Sequence, residues 1–325
     1  MKPMQVWLAA LATAVAGIAL PGMPRAQEYP VKPVRVIVPF STGSATDTMA
    51  RAVSDRLAAS LGQPVVIENR PGAGGTIGIG ATAKAVPDGY TVCVVSTGHV
   101  VNHVLYANLS YDTLKDFAAV APLASLPSVL AVSPALGVRS VAELIAAAKA
   151  HPGGLNYGTA GVGSAAHISA EKFRMAAGIN AVHVPFKGSP EMVTETVTGR
   201  IQFTWSPLST AISQIRDGRL LALAVSTPAR SPALPDVPTI AQAGLPAAEF
   251  NFWVGMIAPA QTPRDIVTRL NAEVNRALQT PEVKQRLANL GAEPMAMAAD
   301  QYDRFLREEF NVLGEVMKGS GVKPQ

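Results

Sequence analysis

A polar, glycine-rich loop occurs twice in this chain, each time between a strand-like run and a helix-like run. The first copy occupies residues 39–47, Pro-Phe-Ser-Thr-Gly-Ser-Ala-Thr-Asp, and the second occupies residues 158–164, Gly-Thr-Ala-Gly-Val-Gly-Ser. Such a strand-to-helix turn presents backbone N–H groups and hydroxyls at the positive end of a helix dipole, where an anion binds. The repetition predicts two lobes that face one small, negatively charged molecule.

Strand-like and helix-like segments alternate along the chain, which predicts an α/β fold with largely parallel sheets. One helix is predicted to begin at Asp47 or Thr48 and to end at Leu61, because Gly62 follows. The predicted strands cover residues 34–40, 64–68, 91–96, 129–133, 182–186, 201–205 and 221–226. Further helices are predicted to begin at Ser140, after Ser164, at Ser189-Pro190, at Thr262-Pro263 and at Thr280-Pro281.

Two apolar stretches, residues 120–132 and 252–259, are predicted to cross between the lobes. On that basis lobe I consists of residues 27–123 together with 255–325, and lobe II consists of residues 124–254. A connection of two segments acts as a hinge, and the cleft beside it is the expected ligand site.

The N-terminal residues are typical of a secretory signal peptide. A basic start at Lys2 precedes an apolar run, and cleavage is predicted after Ala26, so the signal peptide covers residues 1–26. The alternative is an uncleaved membrane anchor, for which the apolar run is short. Cleavage lowers the formal net charge of +4 by two, and no dense Lys/Arg cluster indicates nucleic-acid binding. We therefore expect a periplasmic protein, and a single cysteine, Cys93, excludes an internal disulfide.

Six sequence blocks carry a resemblance to a known family. They occupy residues 29–40, 69–78, 87–91, 157–164 with His167, 183–188 and 230–239. In these blocks the chain resembles the periplasmic solute receptors of tripartite tricarboxylate transporters, often called Bug receptors. The resemblance implies a two-lobed periplasmic-binding-protein fold (type II-like), with two mixed sheets flanked by helices and a cleft between the lobes. It implies a small carboxylate ligand and a membrane permease as partner, with neither catalysis nor a cofactor, and we expect a monomer.

The chain departs from the family pattern at two places. Thr42-Gly43-Ser44 stands where Pro-Gly-Gly is usual, and Ser206 stands where many members have an aspartate. Because both places are expected ligand contacts, the identity of the ligand stays open among aromatic acids, amino acids, citrate-like acids and neutral amides.

In the first loop, the predicted ligand contacts offer neutral donors that suit a carboxylate. They are Phe40, Ser41, Thr42, Gly43 and Ser44. The alternative for this loop is an ordinary capped turn. Asp47 is a further candidate, either as the helix cap or as a partner for an ammonium or hydroxyl group of the ligand, because its carboxylate would repel an anion.

In the second loop, Thr159, Gly161, Gly163 and Ser164 are predicted contacts, because glycine lets the backbone approach a ligand closely. Two further predicted contacts, Thr97 and Ser206, come from the loop after the third predicted strand and from the second departure from the family. Ligands of open α/β sheets bind beyond the carboxyl edge of the strands. His167 either packs its helix or contacts the ligand.

Other patterns favour no further chemistry. His99 and His103 have the spacing of a metal pair without an evident third ligand, so no metal site is predicted. The glycine-rich run of residues 72–80 lacks the lysine of a phosphate loop and is interpreted as a loop packed near the cleft. Lys187 either draws anions into the cleft or is a solvated surface residue. The alternatives to a transport receptor are a ligand-sensing subunit of a membrane sensor kinase and, without a catalytic constellation, a secreted enzyme on the same fold.

Overall fold

The structure is a computed structural model that describes residues 29–325, so the predicted signal peptide lies outside the described residues. The described part contains eleven strands and ten α-helices. The strands are β1 Val34–Val38, β2 Val65–Asn69, β3 Thr91–Ser96, β4 Phe117–Leu126, β5 Ser128–Val132, β6 Asn156–Thr159, β7 Val182–Pro185, β8 Phe203–Pro207, β9 Leu221–Val225, β10 Phe252–Pro259 and β11 Glu293–Pro294. The helices are α1 Ala45–Leu61, α2 Thr76–Ala83, α3 Gly98–Leu105, α4 Val141–Ala150, α5 Ala165–Ala177, α6 Ser189–Val197, α7 Leu208–Arg216, α8 Arg264–Gln279, α9 Pro281–Asn289 and α10 Ala299–Gly319.

The strands form two mixed sheets. The first has the order β11-β4-β10-β3-β1-β2, and the second has the order β7-β6-β8-β5-β9. In the first sheet β1 runs parallel to β2 and β3, whereas β10 runs antiparallel to β3 and β4. In the second sheet β6 runs parallel to β7 and β8, whereas β5 runs antiparallel to β8 and β9. We use lobe I for the first sheet with α1–α3 and α8–α10, and lobe II for the second sheet with α4–α7.

The chain passes from the first sheet to the second at a proline. Strand β4 ends at Leu126 and β5 begins at Ser128, so Pro127 alone separates them. Because proline has no N–H to give to a ladder, it suits a position where the strand leaves one sheet and enters another. The return runs through residues 226–251, and the N–H of Phe250 donates to the carbonyl of Ser226 at 2.9 Å on the way.

The prediction that residues 252–259 cross between the lobes is wrong. These residues are β10, a buried strand in the interior of the first sheet. A continuous apolar run is what a strand covered on both faces requires, and the run alone does not reveal which strands flank it. The lobe boundaries after residues 123 and 254 stay a proposal.

Several element ends also differ from the prediction. Helix α1 begins at Ala45, because Ser44 and not Asp47 is its N-cap. Helix α6 begins at Ser189 with Gly188 as its N-cap, so Ser189 does not cap it. The glycine-rich run of residues 72–80 is partly helical, since α2 begins within it. The capping box predicted at Ser140 is present, with the Ser140 hydroxyl accepting from the N–H of Glu143 at 3.2 Å.

Each lobe has its own apolar core. In lobe I, β3 is buried along its whole length, and Trp253 of β10 is fully buried beside it. In lobe II, Trp205 of β8 packs against Phe173 of α5 with ring centroids 5.9 Å apart. Cys93 is buried in the first core. Within residues 29–325, no helix has both the length and the apolar character needed to span a membrane.

Candidate functional site

A small cavity of about 20 Å³, with room for about one water molecule, lies between the two lobes at a point where several helices begin. Helices α1, α5 and α6 each contribute residues of their first turn to its wall. Among the residues that the structure describes, no charged side chain lines it. The lining residues are Phe40, Ser44, Ala45, Thr46, Ser96, Ala160, Ser164, Ala165, Ala166, Ser189, Pro207 and Phe252.

In lobe I, the turn before α1 is held by a reciprocal pair of hydrogen bonds. The Ser44 hydroxyl accepts from the N–H of Asp47 at 3.4 Å, and the Asp47 carboxylate accepts from the N–H of Gly43 at 2.9 Å. The N–H of Ser44 donates to the carbonyl of Ser41 at 3.1 Å. Gly43 has a φ of +81°, a conformation that favours glycine.

In lobe II, the turn before α5 has the same arrangement. The Ser164 hydroxyl accepts from the N–H of His167 at 3.3 Å, and Nδ1 of His167 accepts from the N–H of Gly163 at 3.2 Å. The N–H of Ser164 donates to the carbonyl of Gly161 at 3.1 Å. Gly163 has a φ of +79°. We call these two segments, residues 41–47 and residues 161–167, the lobe I turn and the lobe II turn.

The two turns aim backbone donors at the cavity from opposite sides. The N–H groups of a helix's first turn have no acceptor within the helix. Ala45 and Thr46 occupy that position in α1, Ala165 and Ala166 occupy it in α5, and all four line the cavity. Together with the positive ends of both helix dipoles, these donors suit an anion.

The acceptor of the lobe I turn is a buried carboxylate with a fixed charge. Asp47 is 1% exposed, receives Nε of Arg51 at 2.9 Å and receives Nδ2 of Asn69 at 3.0 Å. Burial alone would raise its pKa, but the hydrogen bonds from Arg51, Gly43 and Asn69 outweigh burial and lower the pKa. Asp47 is not part of the cavity lining.

The acceptor of the lobe II turn is a buried, neutral imidazole. The ring of His167 stacks on the ring of His183 with centroids 4.6 Å apart. Burial lowers the pKa of both histidines to about 4. Beside them, Glu171 is 1% exposed, receives the Tyr157 hydroxyl at 2.5 Å and pairs with Arg174 at 2.7 Å.

The lobes touch each other around the cavity. The Ser41 hydroxyl donates to the Glu191 carboxylate at 2.9 Å, and the Tyr106 hydroxyl donates to the carbonyl of Val162 at 2.9 Å. Backbone also meets backbone, because a Cβ on Gly98 would lie 2.4 Å from the carbonyl oxygen of Gly163. The structure therefore has its two lobes in contact, with glycine at a point of close approach.

Of the predicted contacts, Phe40, Ser44 and Ser164 line the cavity. Two others in the lobe I turn make different hydrogen bonds: Ser41 bonds to Glu191, and the Thr42 hydroxyl bonds to Asn69 at 3.1 Å. Gly43, Asp47, Gly161 and Gly163 form the turns behind the cavity-lining donors.

The remaining predicted contacts are buried near the site. Thr159 bonds through its hydroxyl to Nε2 of His183 at 2.6 Å, and Ser206 donates to the carbonyl of Pro207 at 3.1 Å. Thr97 is fully buried, and its hydroxyl has no hydrogen-bond partner among the described residues. Direct ligand contact stays a prediction for all twelve residues that the sequence suggests.

Several lining residues are absent from the sequence-based set. Ala45, Thr46, Ala165 and Ala166 directly follow the capping serines, so helix geometry alone could have suggested them. Ser189 follows a Lys-Gly pair at a helix start, which is a weaker signal. Ala160 lies within the second predicted loop, and Ser96 ends the third predicted strand. Pro207 and Phe252 carry no local signal, since their strands must first be placed in the sheets.

The two histidines with metal-pair spacing and Lys187 all lie outside the cavity lining. His99 is buried between Tyr111 and Phe117, and burial lowers its pKa to about 3. His103 stacks on Phe310 instead, with centroids 3.7 Å apart. Within the described part of the chain, no group of three or more His, Cys, Asp or Glu residues is placed to hold a metal ion. Lys187 is exposed and outside the cavity lining.

Sequence comparison relates this chain to one receptor family. The family described as tripartite tricarboxylate transporter family receptor matches residues 49–322. A protein encoded in the tcbD-tcbE intergenic region of Pseudomonas sp. strain P51 is 40% identical over 284 residues, which are 85% of this chain and 84% of that protein. Protein BugT of Bordetella pertussis is 37% identical over 312 residues, 95% of each chain.

Solved structures share the fold. The periplasmic binding protein BugD has a TM-score of 0.88 at 30% identity and covers 91% of this chain and 100% of its own. R. palustris Rpa4515 with adipate has a TM-score of 0.88 at 36% identity and covers 92% and 100%. MatC (Rpa3494) from Rhodopseudomonas palustris with bound malate has a TM-score of 0.85 at 35% identity and covers 89% and 99%. These neighbours confirm the predicted two-lobed periplasmic-binding-protein fold.

Proposed function

This chain belongs to the tripartite tricarboxylate transporter receptor family, and we propose that it is a periplasmic receptor that captures a small carboxylate between its lobes and delivers it to a membrane permease. The observation that carries the proposal is the pair of serine-capped helix N termini, α1 and α5, facing one cavity without a charged side chain in its described lining. Neutral donors and helix dipoles hold an anion without a counter-charge.

The remainder of the lining favours a ligand whose other part carries no positive charge. Phe40, Ala160, Pro207 and Phe252 are apolar, and the hydroxyls of Thr46 and Ser189 are neutral. An ammonium group in this cavity would lack a carboxylate partner and would lose its hydration, which is costly. We therefore place hydroxy acids and plain organic acids ahead of amino acids as ligands, in line with the neighbours that contain adipate and malate.

Closure of the lobes follows from the position of the cavity. Donors come from α1 in lobe I and from α5 and α6 in lobe II, so a ligand reaches all of them only when the lobes are together. A ligand with this differential affinity shifts the population toward the closed state. A permease that distinguishes the closed state from the open state then receives a signal that ligand is bound.

The first test is a thermal-shift screen of purified protein, refolded to remove carried-over ligand, with malate, aspartate and adipate. Malate and aspartate share a carbon skeleton and differ in a hydroxyl against an ammonium group. A ligand at about 100 times its dissociation constant adds roughly 2.7 kcal/mol, and we expect malate or adipate to stabilise the protein more than aspartate does. Equal stabilisation by aspartate would refute the preferred ligand class, and no shift with any acid would refute the carboxylate site.

A cap substitution tests the site itself. We expect Ser164→Ala to weaken binding of the stabilising acid, because it removes the lobe II cap and a hydroxyl of the cavity wall. Ser140→Ala is the matched control, since Ser140 caps α4 in the same way but lies outside the cavity. Both substitutions cost about 1 kcal/mol of stability. Equal dissociation constants for the two variants in calorimetry would remove the lobe II turn from the site.

Delivery to the membrane is tested in cells. Uptake of the radiolabelled acid is expected to require both this protein and the permease subunits. Uptake that persists after deletion of this protein, with the permease intact, would refute the transport role.

A further inference from the structure

The lobe I turn and the lobe II turn share one backbone design and differ in one acceptor. The capping serines have nearly the same torsions, with φ of −65° in both and ψ of 163° for Ser44 and 159° for Ser164. In each turn a glycine donates its N–H to the side chain four residues later. That side chain is the carboxylate of Asp47 in lobe I and the imidazole of His167 in lobe II.

We propose that Asp47 and His167 are matched positioning residues, each holding the donors of its turn in place by accepting the glycine N–H, and that the imidazole makes the lobe II half of the site dependent on pH. This inference rests on the proposed function, because it concerns the same ligand site. Neither residue lines the cavity, so both act through the turn and not through contact with the ligand.

The turn needs its acceptor because the glycine N–H is enclosed. Gly163 is buried, and a Cβ on it would lie 2.6 Å from Oδ1 of Asn102 in the opposite lobe. A buried N–H without an acceptor carries the full desolvation penalty of that group. Without the bond to His167, the turn would relax toward water and carry the N–H groups of Ala165 and Ala166 away from the cavity.

The two acceptors respond differently to protons. Nδ1 of a histidine accepts a hydrogen bond only when it carries no proton, so the bond from Gly163 requires neutral His167 with its proton on Nε2. Protonation of Nδ1 would place the new N–H of the ring against the N–H of Gly163, and neither group could accept. The Asp47 carboxylate accepts whenever it is ionised, and its hydrogen bonds from Arg51 and Asn69 favour that form.

The groups around His167 set the direction of the effect. Burial is the largest cause of the lowered pKa of His167, which is about 4, and His183 and Arg174 act in the same direction. Glu171 opposes them, but its carboxylate is already engaged by Arg174 and Tyr157. His167 is therefore neutral at neutral pH, and the lobe II turn loses its acceptor as the pH falls toward 4.

A backbone readout tests this without any ligand. In ¹⁵N-labelled protein, we expect the amide resonance of Gly163 to shift with the titration of the His167 ring. The amide of Gly43 is the internal control and is expected to stay constant over the same range, because its acceptor is Asp47. In His167→Asn, whose side-chain oxygen replaces Nδ1 as a non-titrating acceptor, the Gly163 shift should disappear. A Gly163 amide that ignores the His167 titration would overturn the proposal.

Affinity measurements distinguish a positioning role of His167, which needs a hydrogen-bond acceptor, from a role in packing alone. At neutral pH, His167→Leu should weaken adipate binding about tenfold, the equivalent of one unpaired buried donor. His167→Asn should restore most of that loss, and the ratio of wild-type to His167→Asn affinity should fall as the pH is lowered. Because adipate itself titrates, only this ratio is interpreted. Equal losses in the leucine and asparagine variants would overturn the positioning role.

The same pair of substitutions in lobe I completes the test. Asp47→Leu should weaken adipate binding and Asp47→Asn should restore it in part, without a new dependence on pH. If wild-type protein binds neither adipate nor malate, the proposed ligand class is at fault. The Gly163 titration in the free protein then still decides whether His167 positions the turn.

Discussion

The lobe I turn and the lobe II turn solve one geometric problem with two kinds of side chain. In lobe I, the acceptor Asp47 is a permanent charge neutralised by Arg51 and oriented by Asn69. In lobe II, the acceptor His167 is an uncharged ring that stacks on His183. The comparison teaches that the position of the first N–H groups of each helix depends on the backbone turn, and that a carboxylate in a charged network and a ring in an aromatic interior each accept the same glycine N–H.

The two turns also differ in how they meet the opposite lobe. The lobe I turn reaches across with a side chain, through the hydrogen bond from Ser41 to Glu191. The lobe II turn meets lobe I with its backbone, because the carbonyl oxygen of Gly163 faces Gly98. A side-chain contact tolerates small displacements, whereas a backbone contact fixes the distance between the lobes.

The largest expected effect comes from filling that backbone contact. Gly98→Ala places a Cβ 2.4 Å from the carbonyl oxygen of Gly163, so the lobes must separate. Overpacking of this kind costs about 1–3 kcal/mol, and we expect adipate affinity to fall roughly ten- to a hundredfold. Gly98 is helical with no positive φ, so the ligand-free protein should keep its melting temperature. Calorimetry and thermal unfolding measure the two quantities.

The matched control for Gly98→Ala is Gly319→Ala, at the end of α10 with open space around the new methyl group. It should change neither affinity nor closure. If Gly98→Ala binds adipate as wild type does, the contact between Gly98 and the lobe II turn does not limit closure.

The next effect is a difference in acid stability between the two turns. His167 has a pKa of about 4 in the folded chain, below its ordinary value of about 6.5, so the unfolded chain binds more protons between these values. The contribution of His167 to the free energy of unfolding is therefore fully present above about pH 6.5 and falls by about 2 kcal/mol at pH 5. The pKa of the buried His183 is also lowered to about 4, so His183 adds to the loss in wild type and variant alike. Denaturant titrations across this range should show a smaller loss for His167→Asn.

Asp47 affects the free energy of unfolding in a lower pH range than His167 does. Its folded pKa is lowered from 3.8, so its contribution is present above that value and is lost as the pH falls through the folded pKa. Asp47→Asn should therefore leave the dependence of the free energy of unfolding on pH unchanged between neutral pH and pH 5. If the dependence of the free energy of unfolding on pH in this range changes in Asp47→Asn but not in His167→Asn, the lobe I turn and not the lobe II turn is the acid-sensitive one.

The smallest expected effect concerns the side-chain contact of the lobe I turn. Ser41→Ala removes the hydrogen bond to Glu191, which is partly exposed, and should cost about 0.5–1 kcal/mol of the closed state. We expect adipate to dissociate a few times faster in stopped-flow measurements, with little change in association. Ser54→Ala, which removes an exposed hydroxyl within α1, is the control and should leave the dissociation rate unchanged. Equal rates for both variants would mean that this contact does not hold the lobes together.

The sequence predicted most elements whose signals are local. The capping box of α4 and the span of β3 follow from residues within a few positions of each other, and both are confirmed. A strand before the second loop was expected, but no range was predicted for β6, Asn156–Thr159, because Asn and Gly disfavour strands and its place comes from pairing with β7 and β8. Strand β10 was misinterpreted for a related reason, since its neighbours β3 and β4 lie far away in the chain.

The sequence by itself determined the two turns, because a cap, a glycine with positive φ and an acceptor four residues later form within one turn of helix. The repeated loop predicted that the turns before α1 and α5 face one site, but not that α6 begins at the same cavity or that Phe252 closes its wall. Those positions depend on strand order in two sheets and on the passage at Pro127. Strand pairing joins residues a hundred or more positions apart, as β10 with β3 and β4, so only the tertiary structure brought the two turns face to face.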